Sequence, residues 1–215
     1  MNIFDKYPYI VVEGPIGCGK STLTRLLAHQ FRANIFNEKA ERNPFLPKFY
    51  EDMKHYSLPT QLFFLFQRAN QLDSLKQKKN FRNGIIADFF LQKDPIFARL
   101  NLDNEELKLY QQIYHHLQLK APTPDLVIYL QTPVDLLRTR VEKRNISYER
   151  RISTEYLEKI AESYSNYFHN EHQSPVLIVN NENIDLLKDR SSLNMMIDKI
   201  LQISSVREYF NPKLI

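Results

Sequence analysis

The chain has 215 residues, 43% of them hydrophobic and 25% charged, a composition that fits one folded globular domain and excludes a disordered segment. Its 29 basic and 25 acidic side chains are interleaved and leave a net charge of only +4, which favours local arginines serving phosphates over a nucleic-acid-binding surface. The single cysteine, Cys18, has no partner for an internal disulfide, and no apolar run nears the ~20 residues of a membrane span; a cytoplasmic protein without membrane or nucleic-acid partners is expected.

In chain order, residues 9–13 (YIVVE) read as a short buried strand, and Glu13 and Pro15 interrupt any signal-like apolar stretch. Residues 21–32 follow as a helix with Leu23, Leu26, Leu27 and Gln30/Phe31 on one face. Further strands are expected at 34–37, 84–88, 125–131 and 175–180. Helices are expected at 60–79, 104–117, 133–143, 154–169 and 191–203. Strands alternating with helices give an α/β fold with a mainly parallel sheet. Pro122-Thr-Pro124 is a connector within one domain spanning 1–215, with no internal repeat. Each strand ends in a polar residue where such sheets bind ligands: Glu13, Asn37/Glu38, Asp88, Gln131 and Asn180.

Between the first strand and the first long helix, Gly14-Pro-Ile-Gly-Cys-Gly-Lys-Ser21 fits G-x-x-x-x-G-K-[ST] and uses three of the four glycines in the chain. Strand, glycine loop and helix N-terminus together aim backbone N–H groups at an anion. Gly14, Pro15, Ile16, Gly17, Cys18, Gly19, Lys20, Ser21 and Thr22 are therefore the candidate ATP-binding residues, with Lys20 reaching the β- and γ-phosphates and the Ser21 hydroxyl offered to Mg²⁺. Gly84 is the only other glycine, and no Asp-x-x-Gly or Asn-Lys-x-Asp occurs, which excludes a GTPase switch; the paired glycines of an ABC signature are missing too. Thr22 stands where a dinucleotide fingerprint requires glycine. A small phosphotransferase remains, with an NTP-binding regulatory protein as the rival.

Four segments carry a more specific likeness: "EGPIGCGKSTL", "NEKAERNPFLPKFYED", "ADFFLQKDPIFARL" and "RVEKRNISYERRISTEYLEKI". In this order they resemble the deoxynucleoside kinases, most closely the bacterial deoxyadenosine/deoxyguanosine kinase branch, over nearly the whole chain. The resemblance implies a P-loop kinase fold, a five-stranded mainly parallel sheet in the order 2-3-1-4-5 flanked by helices, an arginine-bearing lid at about 140–152, and a homodimer formed through helices. It implies ATP-dependent phosphorylation of a deoxynucleoside 5′-hydroxyl, deoxyadenosine first, with Mg²⁺ accompanying ATP. A thymidylate-type nucleoside-monophosphate kinase is the nearest alternative enzyme.

By the same resemblance Glu38 is the general base, although Lys39 stands where many relatives have proline. Asp88 supports Mg²⁺ together with Ser21; Phe89 replaces an arginine that many relatives place next to it. Arg140 and Arg144, four apart on one helical face, match the lid arginines, while Ile146 occupies a further lid-arginine position and Arg150 and Arg151 are unmatched candidates. Tyr50 and Glu149 match the pair that binds the sugar 3′-hydroxyl, and Gln61, Arg68 and Asp94 match base-recognition positions. His115-His116 has no second ligand pair at metal-binding spacing and reads as surface.

Overall fold

A computed structural model of the chain describes residues 2–77, 83–116, 122–183 and 189–212. Its strands β1 (Tyr9–Glu13), β2 (Asn34–Phe36), β3 (Ile85–Ala87), β4 (Leu126–Gln131), β5 (Val176–Asn180) and β6 (Arg207–Phe210) form one parallel sheet in the order β2-β3-β1-β4-β5-β6. The expected five-strand order is present, and β6 extends it by one strand at the β5 edge. β1, β4 and β5 are buried along almost their whole length because helices cover both faces, which is why they read as continuous apolar runs.

The helices are α1 (Ile3–Lys6), α2 (Lys20–Phe31), α3 (Leu46–Phe49), α4 (Met53–Gln77), α5 (Asp94–Asn101), α6 (Asn104–His116), α7 (Val134–Arg144), α8 (Thr154–Asn166) and α9 (Arg190–Gln202). The expected helical ends at 78, 79 and 117 lie outside the described residues. Among the described residues no helix is long and apolar enough to cross a membrane.

Besides the unexpected four-residue helices α1 and α3, two longer helices depart from expectation. Helix α4 begins at Met53 and runs through Pro59, seven residues earlier than the proline suggested. Proline removes one ladder hydrogen bond, but the preceding turn is held by the Ser57 hydroxyl on the Met53 carbonyl (2.6 Å) and packs against α3. Helix α5 was not expected; Asp94 and Pro95 open it, one favouring the positive helix end and the other needing no N–H there.

The sheet order sets the site. β1 has β3 on one side and β4 on the other, so connections leave its C-terminal end in opposite directions and open a crevice there. The loop after β1, the ends of β2 and β3, and α7 after β4 all meet at that crevice.

Strand β6 escaped the sequence pattern because it is short, polar and at an edge. It is fixed from its side chains: Arg207 donates to the carbonyls of Phe168 (3.1 Å) and His172 (3.3 Å). His172 packs against Phe90, Tyr167 and Phe168, and its Nε2 is buried without a hydrogen-bond partner. Burial, then the Arg207 charge, lowers its pKa to about 4. The unfolded chain therefore binds the extra proton first as pH falls, so stability is full above pH ~6.5 and is lost progressively towards about 4. Urea unfolding across that window should show the loss, and His172→Gln should remove most of it.

Candidate active site

The crevice holds a cavity of about 1050 Å³, large enough for a nucleoside and a triphosphate together. Its floor is the loop 14–21 between β1 and α2. Gly17 has φ +87°, a left-handed conformation, and a Cβ there would lie 2.9 Å from the Leu137 carbonyl oxygen of α7. Glycine at this position lets loop and α7 touch. Lys20 folds over the loop and donates to the carbonyls of Gly14 (2.7 Å) and Pro15 (3.0 Å). Burial opposes its charge, but Cys18 and the carboxylates of Glu13, Glu38 and Asp88 more than offset this, and its pKa is raised. Lys20 is a cation at any working pH. Burial pushes the Cys18 thiol up, so it acts as packing beneath the loop.

Asp88, immediately after β3, ties the loop to the rest of the site. Its Oδ2 accepts from the Ser21 hydroxyl (2.6 Å) and its Oδ1 from the Glu38 backbone N–H (2.7 Å). A hydroxyl and a carboxylate side by side are the hard oxygen donors that Mg²⁺ takes, with phosphate and water filling the remaining positions. These two residues fit such an ion. Among the described residues no cluster of three or more His, Cys, Asp or Glu could hold a metal by itself.

Glu38 lies two residues beyond β2 and is enclosed by cations. Arg68 donates to Oε1 through Nε (2.8 Å) and Nη2, and Lys93 lies 3.1 Å from Oε2. Burial alone would raise this carboxyl, but Arg68 and Lys93 outweigh it and hold the pKa at about 2. Arg68 also pairs with Asp94 and lies over the Phe64 ring, 4.8 Å from its centre. Lys93 in turn pairs with Glu13 at 3.1 Å. The result is a chain of alternating charge, Glu13–Lys93–Glu38–Arg68–Asp94.

Sequence reasoning missed Lys93, and it treated Glu13 only as a polar strand end. The signal was present in "ADFFLQKDP": a lysine closing the short 3₁₀ turn Leu91–Lys93 just after a strand-end aspartate. Asp94, expected at a base-recognition position either facing the base or holding Arg68, is fully buried and pairs with Arg68; Arg68 and Gln61 line the cavity. An arginine whose other edge is occupied by a carboxylate presents donors only.

Tyr50 and Glu149 line the same cavity from opposite elements, the end of α3 and the 3₁₀ turn Ser147–Arg151. Tyr50 stacks on Tyr148 with ring centres 6.1 Å apart, and burial, with Tyr156 and Glu149, pushes its hydroxyl pKa well up, so it stays a neutral donor. Glu149 is held by Arg144, whose Nε lies 2.9 Å from Oε2. Arg140, one turn earlier on α7, donates to the Cys18 carbonyl of the loop (3.1 Å), and Asn181 donates to that same carbonyl (2.6 Å). Arg140 and Arg144 thus both line the cavity, one against the loop and one against Glu149. Arg150 pairs with Asn145 and Arg151 with Glu51.

Comparison with known proteins places the chain in a family. The family model for deoxynucleoside kinase matches residues 10–205. A deoxyguanosine kinase of Bacillus subtilis is 39% identical over 160 residues, covering 73% of this chain and 76% of that protein. A deoxyadenosine kinase of Lactobacillus acidophilus is 30% identical over 206 residues, covering 89% and 94%. Among solved structures, a deoxyadenosine kinase from M. mycoides with bound dATP superposes with a TM-score of 0.78 at 28% identity, covering 90% of this chain and 99% of that one.

The contact between loop and α7 has a direct test. Gly17→Ala strains the left-handed backbone and drives a methyl into the Leu137 carbonyl. Stability should fall by about 1–3 kcal/mol. Calorimetric ATP affinity should fall about tenfold or more, because the loop amides lose their common aim.

Proposed function

Because the chain belongs to the deoxynucleoside kinase family, we propose that its cavity carries the γ-phosphoryl group of ATP to the 5′-hydroxyl of a purine deoxynucleoside. The observation that carries this reading is a single cavity with the phosphate loop on its floor and the Glu38 carboxylate beside it, joined through Asp88. The loop amides and Lys20 hold the β- and γ-phosphates. Ser21 and Asp88 would hold Mg²⁺, which supplies charge neutralisation between those phosphates. Glu38 is ionised throughout the working range and takes the hydroxyl proton as the new O–P bond acidifies it. Arg140 and Arg144 bring positive charge to the transferring group, and Tyr50 with Glu149 holds the sugar at its 3′-hydroxyl.

A neutral acceptor fits this site better than a nucleotide acceptor. Arg68, Lys93 and Arg144, the cations near Glu38 and the sugar side, are each paired with a carboxylate, so an incoming monophosphate would meet Glu38 and Glu149 as well. That argues against the thymidylate-type alternative. For the base, Arg68 presents donors backed by Asp94, and Gln61 presents both a donor and an acceptor. Guanine offers two adjacent acceptors, O6 and N7, to such an edge, whereas adenine places an N–H₂ donor beside N7. We therefore rank deoxyguanosine ahead of deoxyadenosine, the reverse of the order that the sequence alone suggests.

The quaternary and cellular parts of the reading are supported more simply. Phe66 on α4 and Leu109 on α6 are exposed on two helices that pack together, which suits a helix-mediated homodimer. The lone buried thiol suits a cytoplasmic setting.

Incubation with ATP, Mg²⁺ and a panel of nucleosides and monophosphates, with ADP release as the readout, tests the assignment. Deoxyguanosine should show the highest kcat/KM, with deoxyadenosine next and thymidine at least tenfold lower, since an opposed polar pair costs about 1–3 kcal/mol. Glu38→Gln should lower kcat about 100-fold with ATP affinity little changed. ATP binding without transfer to any nucleoside would instead favour a regulatory NTP-binding protein.

A further inference from the structure

Lys93 has a geometry that the phosphate loop, the base and the lid leave unexplained. Its side chain is 3% exposed, yet it lines the cavity. Two carboxylate oxygens lie 3.1 Å from its ammonium, Oε1 of Glu13 and Oε2 of Glu38. Glu13 is a fixed anchor: it is fully buried at the end of β1, and its other oxygen accepts from the Gly14 N–H (3.0 Å) and the Tyr164 hydroxyl (3.1 Å). Lys93 is thus braced against the strand that carries the phosphate loop. It meets Glu38 on the oxygen that Arg68 does not use.

An ammonium has three N–H groups, and the described residues give this one a hydrogen bond to Glu38 Oε2 and an ion-pair contact with Glu13 Oε1. An acceptor hydroxyl that donates to Glu38 Oε2 lies within about 3 Å of that oxygen, which is itself 3.1 Å from Lys93 Nζ. The three atoms then form a triangle in which Lys93 can donate to the hydroxyl oxygen. Arg68 is less suited to this role, because it meets Glu38 on Oε1 rather than Oε2 and its two remaining N–H groups are those proposed to meet the base.

We infer that Lys93 is a catalytic residue of the transfer proposed above, holding the acceptor oxygen with its ammonium while Glu38 Oε2 takes that oxygen's proton. The inference rests on that kinase reading. In the step, the hydroxyl O–H bond breaks and its proton goes to Glu38. The oxygen's electron pair forms the new bond to the γ-phosphorus. The bond from that phosphorus to the β–γ bridging oxygen breaks, and ADP leaves with its electron pair. Lys93 loses no proton; it donates a hydrogen bond to the oxygen while that oxygen carries negative charge. Glu13 is a positioning residue that keeps the ammonium from following Glu38 out of register.

The test compares wild type, Lys93→Met and Lys93→Arg by kcat, by KM for nucleoside and ATP, and by the affinity of a 5′-amino-5′-deoxynucleoside relative to its parent. Met keeps the stem and removes the charge, so kcat should fall about 100-fold while both KM values stay within about threefold. Arg should recover at least tenfold of that loss. The amino analogue carries its own cation into the triangle, so its relative affinity should rise about tenfold in Lys93→Met, where the ammonium that repels it is gone. Because Glu13 is left unpaired in that variant, Glu13→Gln with Lys93→Met provides a charge-balanced version that should show the same kcat loss and the same rise. Unchanged kcat per folded enzyme would overturn the inference. So would kcat and nucleoside affinity falling together in both Met and Arg variants with the analogue's relative affinity unmoved, the pattern of a purely structural lysine. A wild type that transfers phosphoryl to no nucleoside would overturn the kinase reading beneath it as well.

Discussion

Five buried or nearly buried charges in strict alternation, Glu13–Lys93–Glu38–Arg68–Asp94, hold this site together. A charge removed from water loses solvation worth several kcal/mol, so each member requires its neighbour, and deleting any one strands another. The five come from the end of β1, the segment after β2, the middle of α4 and the junction between the turn after β3 and α5, where Lys93 and Asp94 are adjacent. One electrostatic constraint therefore fixes four parts of the chain against one another. A well-packed apolar cluster could supply similar stability; it could not supply a carboxylate held ionised next to the phosphate loop.

The phosphate side is coupled to that chain through Asp88. Its two oxygens accept from Ser21 and from the Glu38 N–H, so the glycine loop and the Glu38 segment share one anchor. The coupling depends on sheet order: β3 pairs with both β1 and β2, which brings the ends of all three within one crevice. On the other side of β1, the strand β4 leads into α7 and delivers Arg140 to the loop carbonyl of Cys18. The glycine-poor composition follows from the same economy, with three of the four glycines where the loop must bend and touch α7, and the fourth before β3.

Local signals made much of this legible. The phosphate loop follows from spacing because its function needs glycine, lysine and a hydroxyl at fixed backbone offsets. Strands β1, β4 and β5 were visible because parallel strands covered on both faces must be apolar throughout, whereas β2, at the other sheet edge, is short and largely exposed. Edge position hides β6, four residues (Arg-Glu-Tyr-Phe) with no polar–apolar alternation and none fully buried, held by the Arg207 side chain. The start of α4 was hidden by Pro59, whose missing hydrogen bond is outweighed by packing against α3. The opening Asp94-Pro95 of α5 was readable as a helix start, but the segment is only eight residues long and its apolar face is short.

The sequence by itself determined the chemistry that local spacing encodes: an α/β chain, a triphosphate loop, a strand-end carboxylate and two arginines on one helical face. Only the tertiary structure decided how the charges pair. It turned Asp94 away from the cavity and onto Arg68, set Lys93 between Glu13 and Glu38, and tied Asp88 to both halves of the site. The physical reason is range. A backbone loop or an amphipathic helix is specified by neighbours within a few residues, whereas the partner of a buried charge is chosen by what the whole fold brings within about 3 Å of it.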